Sequence, residues 1–248
     1  MIYLFTILLG IIQGLTEFLP VSSSGHLVLL HEIWVMPQIN NLIFDVVLHT
    51  GTLVALLVYF YKDIISYLRA FLNSLVNWNI KNDLQQRMAW LIIISIIPAG
   101  IIGYFFEDII ENVFRSALSV ALVLIAVSFL FFLAEKYTKK EKNFQSLTWW
   151  KVLLIGIAQA IALIPGVSRS GITIITGMYF NLKRELAARL SFLISIPIIF
   201  IASLKKGYDL FQAGLVAEEL VIYLLGFLVS AFTGYFCIKY FLQFLKKY

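Results

Sequence analysis

Gly156–Thr173, GIAQAIALIPGVSRSGIT, places an arginine and three hydroxyl side chains where an ordinary membrane helix would be apolar. A fainter copy, GIIQGLTEFLPVSSSG, occupies Gly10–Gly25. Both copies run from an apolar helix through a Pro or Gly break and a serine cluster to Gly and a second apolar helix. This pattern predicts a chain that enters a membrane part of the way, turns and returns. The two copies are identical at Gly10/Gly156, Ile11/Ile157, Gln13/Gln159, Val21/Val167, Ser22/Ser168, Ser24/Ser170 and Gly25/Gly171.

The composition indicates an integral membrane protein. Hydrophobic residues make up 61% of the 248 residues and charged residues only 13%, and the mean hydropathy is +0.92, far outside the range of soluble domains. The apolar segments are long and do not alternate as barrel strands do, so the prediction is all-α. The net charge is +5, and the basic residues lie in loops beside the apolar segments. The positive-inside rule accounts for basic loops of this kind, so no nucleic-acid partner is predicted.

The apolar segments predict a polytopic protein of about five to six transmembrane helices, folded as one membrane domain over residues 1–248. Two re-entrant helix-turn-helix segments are predicted, at residues 2–35 and about 150–180. Residues 1–134 would form the first repeat and residues 150–248 the second. Unbroken spans are predicted at about 44–61, 87–106 and 116–134, then in one segment ending near 204 and another at about 216–244.

Loop charges predict the orientation. Basic loops at about 62–86 and 135–151 are assigned to the cytoplasm by the positive-inside rule, and an acidic turn at 107–115, carrying Glu107, Asp108 and Glu111, to the outside. Three spans lie between the broken segments, so these enter from opposite sides and the repeats have inverted topology. Inverted repeats with broken helices place their turns near the midplane, facing one another.

Arg169 is the most costly residue of the broken segments. A central arginine costs about 2.5–3.5 kcal/mol on insertion scales, so something must compensate for it. Its planar fork of donors suits a phosphate or a carboxylate, which makes an anionic ligand or Glu17 the natural partner. A purely structural ion pair, or an arginine that reaches the interface, is the alternative.

The glycines and hydroxyls of both turns predict a phosphate cradle. Glycine permits backbone amides to converge on an anion, and the following helix offers its positive N-terminus. A serine-rich break can also solvate a kink or allow close helix packing. The candidate phosphate-binding residues are Ser22, Ser24, Gly166, Ser168, Ser170 and Thr173.

The first copy adds ionisable groups. Glu17 follows Gln13 by four residues, on one helix face, and could ligate a cation, act as a base or hold Arg169. His26 could deliver a proton or attack phosphorus, whereas a hydrogen-bonded helix start is its structural alternative. His31 and His49 are predicted to be packed or interfacial, and the alternative for His49, which lies near Asp45, Thr50 and Thr52, is a place in the cavity lining.

The motifs GLTEFLPVSSSGH (Gly14–His26) and PGVSRSGIT (Pro165–Thr173) resemble the two signatures of the undecaprenyl-diphosphate phosphatases, the bacitracin-resistance family of the bacterial cytoplasmic membrane. The resemblance extends to FDVVLHTGTL (Phe44–Leu53) and LKRELAARLSFLISIP (Leu182–Pro197). It implies removal of the terminal phosphate from undecaprenyl diphosphate, which regenerates the lipid carrier for peptidoglycan synthesis. It also implies dependence on Mg²⁺ or Ca²⁺ and a cavity open to the outer face.

Carried over by position, the resemblance places the family's acidic motif on Gln13 and Glu17, its serine on Ser23, its histidine on His26 and its arginine on Arg169. Gln13 stands where many relatives have Glu, which leaves Glu17 as the better metal ligand or base. Ser23, His26 and an activated water stay open as the nucleophile.

The main rival function is a transporter or flippase of a lipid phosphate or anion, because inverted repeats with broken helices are also the plan of secondary transporters. A combined phosphatase and flipping role is a third reading. The sequence leaves the oligomeric state open, a homodimer included.

Overall fold

The computed structural model describes residues 1–33, 41–114, 116–213 and 217–247. These residues form α-helices and no β-strand, apart from one isolated bridge between Lys142 and Leu182. The helices are α1 (Ile2–Thr16), α2 (Ser23–Ile33), α3 (Asn41–Tyr59), α4 (Tyr61–Ser74), α5 (Leu84–Phe114), α6 (Ala117–Tyr137), α7 (Trp149–Ile161), α8 (Arg169–Tyr179), α9 (Arg184–Ala213) and α10 (Ala217–Lys247).

The long helices make this an all-α polytopic membrane protein, as predicted. Four segments are long and apolar enough to cross a bilayer: Leu84–Phe106, Ala117–Tyr137, Arg184–Lys205 and Glu219–Lys247. The pair α3 and α4 makes a fifth if it is counted as one span bent by 75°. The total agrees with the lower end of the predicted five to six.

The two predicted re-entrant segments are present as broken helix pairs. Helix α1 has 15 residues and α7 has 13, about 22 and 20 Å at the usual rise, which is short of a hydrocarbon core of about 30 Å. Each is followed by a non-helical break and then by α2 or α8. If the bent pair is counted as one span, it lies with α5 and α6 between the two segments. The entry of the two segments from opposite sides stays a prediction. Residues 34 and 35 of the first predicted segment lie outside the described residues.

Two predicted connections are wrong. The acidic turn at 107–115 is a helix as far as Phe114, where α5 ends, because glutamate is a good helix former and does not stop a helix. The side chains of Glu107, Asp108 and Glu111 lie outside the described residues. The predicted loop at 62–86 contains α4, whose apolar and polar residues separate onto opposite faces as in a helix at a boundary with water.

Each broken segment packs on a long helix from the other half of the chain, an arrangement that we call crosswise packing. Helix α1 packs on α10, whereas α7 packs on α5, so each short helix is held by a long helix from the other part of the chain. A Cβ on Gly10 would lie 2.9 Å from Val229 Cγ1, and one on Gly156 would lie 2.5 Å from Ser95 O. These matched glycines are therefore the close-approach points of both crossings. The division into repeats at 1–134 and 150–248 stays a prediction.

A buried aromatic cluster lies beneath the first break. The Phe18 ring meets the Phe192 ring edge-on at a centroid distance of 5.3 Å, and Phe60 lies 6.4 Å from Phe192. All three side chains are almost fully buried. Because Phe18 follows Glu17 directly, this packing fixes the backbone that carries the glutamate.

Candidate active site

The matched serines of the two breaks cap the helices that follow. Ser168 Oγ accepts a hydrogen bond from Gly171 N at 3.0 Å, and Ser22 Oγ accepts one from Gly25 N at 3.3 Å. These bonds satisfy backbone donors of the first turns of α8 and α2. The matched serines of the two sequence copies thus have the same structural role, which is to cap a helix. The N-termini of α2 and α8, each with a partial positive charge, lie next to each other.

The two breaks touch each other. Ser170 Oγ donates to the backbone oxygen of Leu19 at 3.1 Å, and a Cβ on Gly171 would lie 3.5 Å from Pro20. Behind this contact, Thr173 Oγ1 lies 2.6 Å from Ser191 Oγ and fixes α8 to α9. One compact region therefore contains both serine clusters.

Glu17 is the centre of this region. Its side chain is only 3% exposed, and its Oε1 accepts a hydrogen bond from the Arg169 guanidinium. Its Oε2 accepts from Ser23 Oγ at 2.6 Å and from Gln13 Nε2 at 3.0 Å. A buried carboxylate is costly unless it is paired and hydrogen-bonded, and these donors meet that requirement.

Ser23 and Arg169 occupy equivalent positions in the two copies, each one residue after the capping serine. Both bond to the same carboxylate. A hydroxyl from one copy and a guanidinium from the other therefore converge on one point, which neither copy alone could achieve.

A cavity of about 240 Å³ opens over this point. Its lining combines the predicted acid, the arginine and hydroxyls from both copies with one histidine: Glu17, Ser22, Ser23, Ser24, Ser168, Arg169, Ser170 and His49. A guanidinium and two helix N-termini favour an anion there. The geometry suits a phosphate group facing a hydroxyl whose proton is already directed at a carboxylate.

Four predicted residues support this cavity without being among its lining residues. Gln13 is fully buried and holds Glu17, and Thr173 donates to Arg169 O at 2.7 Å. Gly166 has a φ of +94°, a conformation that glycine adopts without strain. His26 Nδ1 lies 2.8 Å from Ser22 O, so this ring nitrogen carries a proton and stabilises the helix start.

His49 lines the cavity, although the sequence favoured a packed or interfacial position for it. Its Nδ1 lies 2.8 Å from the carbonyl oxygen of Asp45 and therefore donates to it, which turns Nε2 towards the cavity. Nε2 lies 3.5 Å from Glu17 Oε2. The available signal was a histidine one helical turn after an aspartate in an otherwise apolar span. His31 instead pairs with the Asp45 carboxylate at 2.7 Å.

The donors present allow only one kind of metal site. In the described part of the chain, no three His, Cys, Asp or Glu side chains cluster as metal ligands. Glu17 is the carboxylate of the cavity lining, and Mg²⁺ is often held by one or two carboxylates together with substrate phosphates. The residues thus fit a divalent ion shared with a phosphate ligand. Gln13 donates its amide nitrogen to Glu17, and its amide oxygen, the atom that could ligate a metal, is buried without a hydrogen-bond partner among the described residues. Its role as a metal ligand stays a prediction.

Comparisons with known proteins cover nearly the whole chain. The family model described as bacitracin resistance protein BacA matches residues 6–248. A Rubrobacter xylanophilus protein named undecaprenyl-diphosphatase is 44% identical over 98% of this chain and 89% of its own length. Proteins of the same name from Aliivibrio salmonicida and Methanosphaera stadtmanae are 41% and 39% identical, over 100% and 97% of this chain and 91% and 88% of their own lengths. The chain therefore belongs to the bacitracin resistance protein BacA family.

Proposed function

We propose that the protein hydrolyses undecaprenyl diphosphate to undecaprenyl phosphate and inorganic phosphate. This activity would recycle the lipid carrier of peptidoglycan synthesis and give resistance to bacitracin. The shared name of the relatives supports the proposal. The structural observation that carries it is the single buried carboxylate that holds both Ser23 Oγ and Arg169 at a cavity between two helix N-termini.

In the proposed reaction, the Ser23 hydroxyl is the nucleophile. Its oxygen attacks the terminal phosphorus while its proton passes to Glu17 Oε2, and the bond from phosphorus to the bridging oxygen breaks to release undecaprenyl phosphate. Arg169 turns from Glu17 to the phosphoryl oxygens, where charge accumulates. Water then attacks the phosphoserine phosphorus and the bond from phosphorus to Ser23 Oγ breaks. Ser23 Oγ takes back the proton held by Glu17, and both hydrogens of the water leave with inorganic phosphate.

Ser23 is preferred to His26 because its hydroxyl lines the cavity and already donates to the carboxylate. Dependence on a divalent cation stays a prediction. Glu17 would hold the ion together with the diphosphate, and the ion would neutralise phosphate charge.

The assay that tests the proposal measures phosphate release from undecaprenyl diphosphate by the purified, detergent-solubilised protein. We expect release that stops with a chelator and resumes when Mg²⁺ or Ca²⁺ is restored. A protein that binds the lipid but releases no phosphate under any of these conditions would contradict the proposal and favour the transporter. The mass of the solubilised particle would decide whether it is a homodimer.

We further propose that the protein lies in the bacterial cytoplasmic membrane with its cavity open to the outer side. Ser116 lies beside the start of α6 and Glu141 beyond its end, and both are exposed. Because the loop around Glu141 is rich in lysine, a cysteine at position 141 should be labelled from the cytoplasm and one at position 116 from outside. The reverse labelling pattern would invert the topology.

His49→Gln should lower kcat on the order of 10²-fold, because Nε2 faces both the cavity and Glu17 and positioned acid or base groups contribute about this much. The matched control is His31→Gln, which changes a histidine outside this cavity lining and should alter kcat less than about 3-fold. Phosphate release under saturating substrate measures both values. Equal kcat values for the two variants would remove His49 from the site.

A further inference from the structure

A trough leads away from the phosphate cavity. A second cavity of about 250 Å³ shares Ser24, His49 and Pro165 with the first. It continues into a third cavity of about 300 Å³, with which it shares Val46 and Ser203. We call the second and third cavities together the tail trough.

The walls of the tail trough are apolar faces of α3, α9 and α10. On α3, the lining residues Ile43, Val46, Val47 and Thr50 follow the spacing of one helical face. On α9, the lining runs from Ile198 to Gly207, which is about 14 Å along the helix. The tail trough is therefore long and mostly apolar, and its polar lining residues are Ser24, Asp45, His49, Thr50 and Ser203.

The far end of the tail trough lies where two candidate spans, Arg184–Lys205 and Glu219–Lys247, meet their connecting segment. Leu220 and Leu224 of α10 line the third cavity and are 53% and 55% exposed. Exposed leucines on a transmembrane helix contact lipid chains. The trough thus joins an anion-binding cavity at one end to exposed leucines in the first turns of the α10 span at the other, an arrangement that suits a lipid with a phosphorylated head.

We propose that the tail trough binds the first isoprene units of the polyprenyl substrate and thereby selects for a long prenyl chain. This inference rests on the proposed function. The scissile phosphate would lie at Ser23, and the prenyl chain would leave past Ser24 and Pro165 between α3 and α9.

A competing groove lies between α1 and α10. It has a volume of about 590 Å³ and is lined by residues such as Leu15 and Phe232. It shares no lining residue with the phosphate cavity, so a chain lying there would be separated from its own head group. Continuity favours the tail trough.

Gly207 offers a way to fill the trough. It lies on α9 in the lining of the third cavity, and in the described part of the chain a Cβ built on it meets no atom within 4 Å. Gly100 on α5 is also exposed and also open around its Cβ, but it does not line the tail trough. Replacing a helical glycine at either position does not strain the helix.

The test compares Gly207→Phe with Gly100→Phe on two substrates, undecaprenyl diphosphate and geranyl diphosphate. Gly207→Phe should lower kcat/KM for the long substrate about 10-fold or more, because it displaces apolar chain contacts. It should leave the short, soluble substrate within about 2-fold of wild type, since that chain does not reach Gly207. Gly100→Phe should change neither substrate.

Full activity of Gly207→Phe on the long substrate would overturn the trough and leave the proposed function standing. An equal loss on both substrates would overturn it as well, because the substitution would then act on the phosphate cavity. If wild type releases phosphate from neither substrate, the proposed function itself fails. Should Gly207→Phe not fold, Leu224→Trp, which enlarges an exposed side chain in the lining of the same third cavity, carries the same expectations.

Discussion

Arg169→Ala should reduce phosphate release from undecaprenyl diphosphate by on the order of 10³-fold, because it removes the guanidinium that would neutralise the transferring phosphoryl group. Arg169→Lys should recover little of this activity, since an ammonium lacks the planar fork that matches phosphate and carboxylate. Phosphate release by the purified variants measures both effects.

The same substitution should also destabilise the protein. It leaves the Glu17 carboxylate, which is 3% exposed, buried without its cation, and breaking a buried pair in this way typically costs about 3–5 kcal/mol. The double variant Glu17→Gln, Arg169→Met removes both charges, so it should regain much of the thermal stability and none of the activity. A single Arg169→Ala variant as stable and as active as wild type would contradict both the pairing and the role of Arg169.

Ser23→Ala should lower kcat by on the order of 10³-fold or more, because it removes the proposed nucleophile while the cavity and Arg169 remain. The matched control is Ser24→Ala. Ser24 lies in the same turn and also lines the cavity, but its hydroxyl interacts with Ser22 and not with Glu17. Its loss should cost only about 10-fold.

A rapid-quench experiment with substrate labelled in the terminal phosphate sharpens this prediction. Wild type should retain label covalently for a short time, and Ser23→Ala should retain none. Near-normal turnover by Ser23→Ala would show that His26 or a water molecule attacks phosphorus instead.

Much of the fold could be predicted from two features of the sequence. Apolar length indicated the crossing helices, and the serine clusters inside apolar segments indicated the two breaks. The family predicted from the motifs is confirmed by the match over residues 6–248. Glu17 was also one of the two partners predicted for Arg169, because an arginine inside an apolar segment needs an opposite charge or an anionic ligand.

The rest depended on contacts between distant parts of the chain. The local signal at His49, a histidine one helical turn after Asp45 in an apolar helix, does not say what the ring faces. Only the packing of α3 beside the first break brings its Nε2 to Glu17. The predicted acidic turn at 107–115 was wrong because acidic residues suggest exposure to water, and exposure does not determine where a helix ends. The bend between α3 and α4 was not predicted either. Hydropathy indicates which residues avoid water, but it does not indicate where a helix axis changes direction.

The crosswise packing of α1 on α10 has a consequence for biosynthesis. A Cβ on Gly14, one helical turn before the first break, would lie 2.6 Å from Thr233 Cβ and 2.8 Å from Gly234 N. Part of the surface that supports the first break is therefore supplied by α10, which is made long after α1. While the ribosome is still translating, a nascent chain that has inserted α1 to α3 contains Gln13 and Ser23 beside Glu17, but it still lacks Arg169 and the α10 surface. Glu17 should therefore gain its cation only after α8 has been made, and α1 should gain its full packing only after α10 has left the translocon. A chain stalled before those points would be a substrate for quality-control proteases.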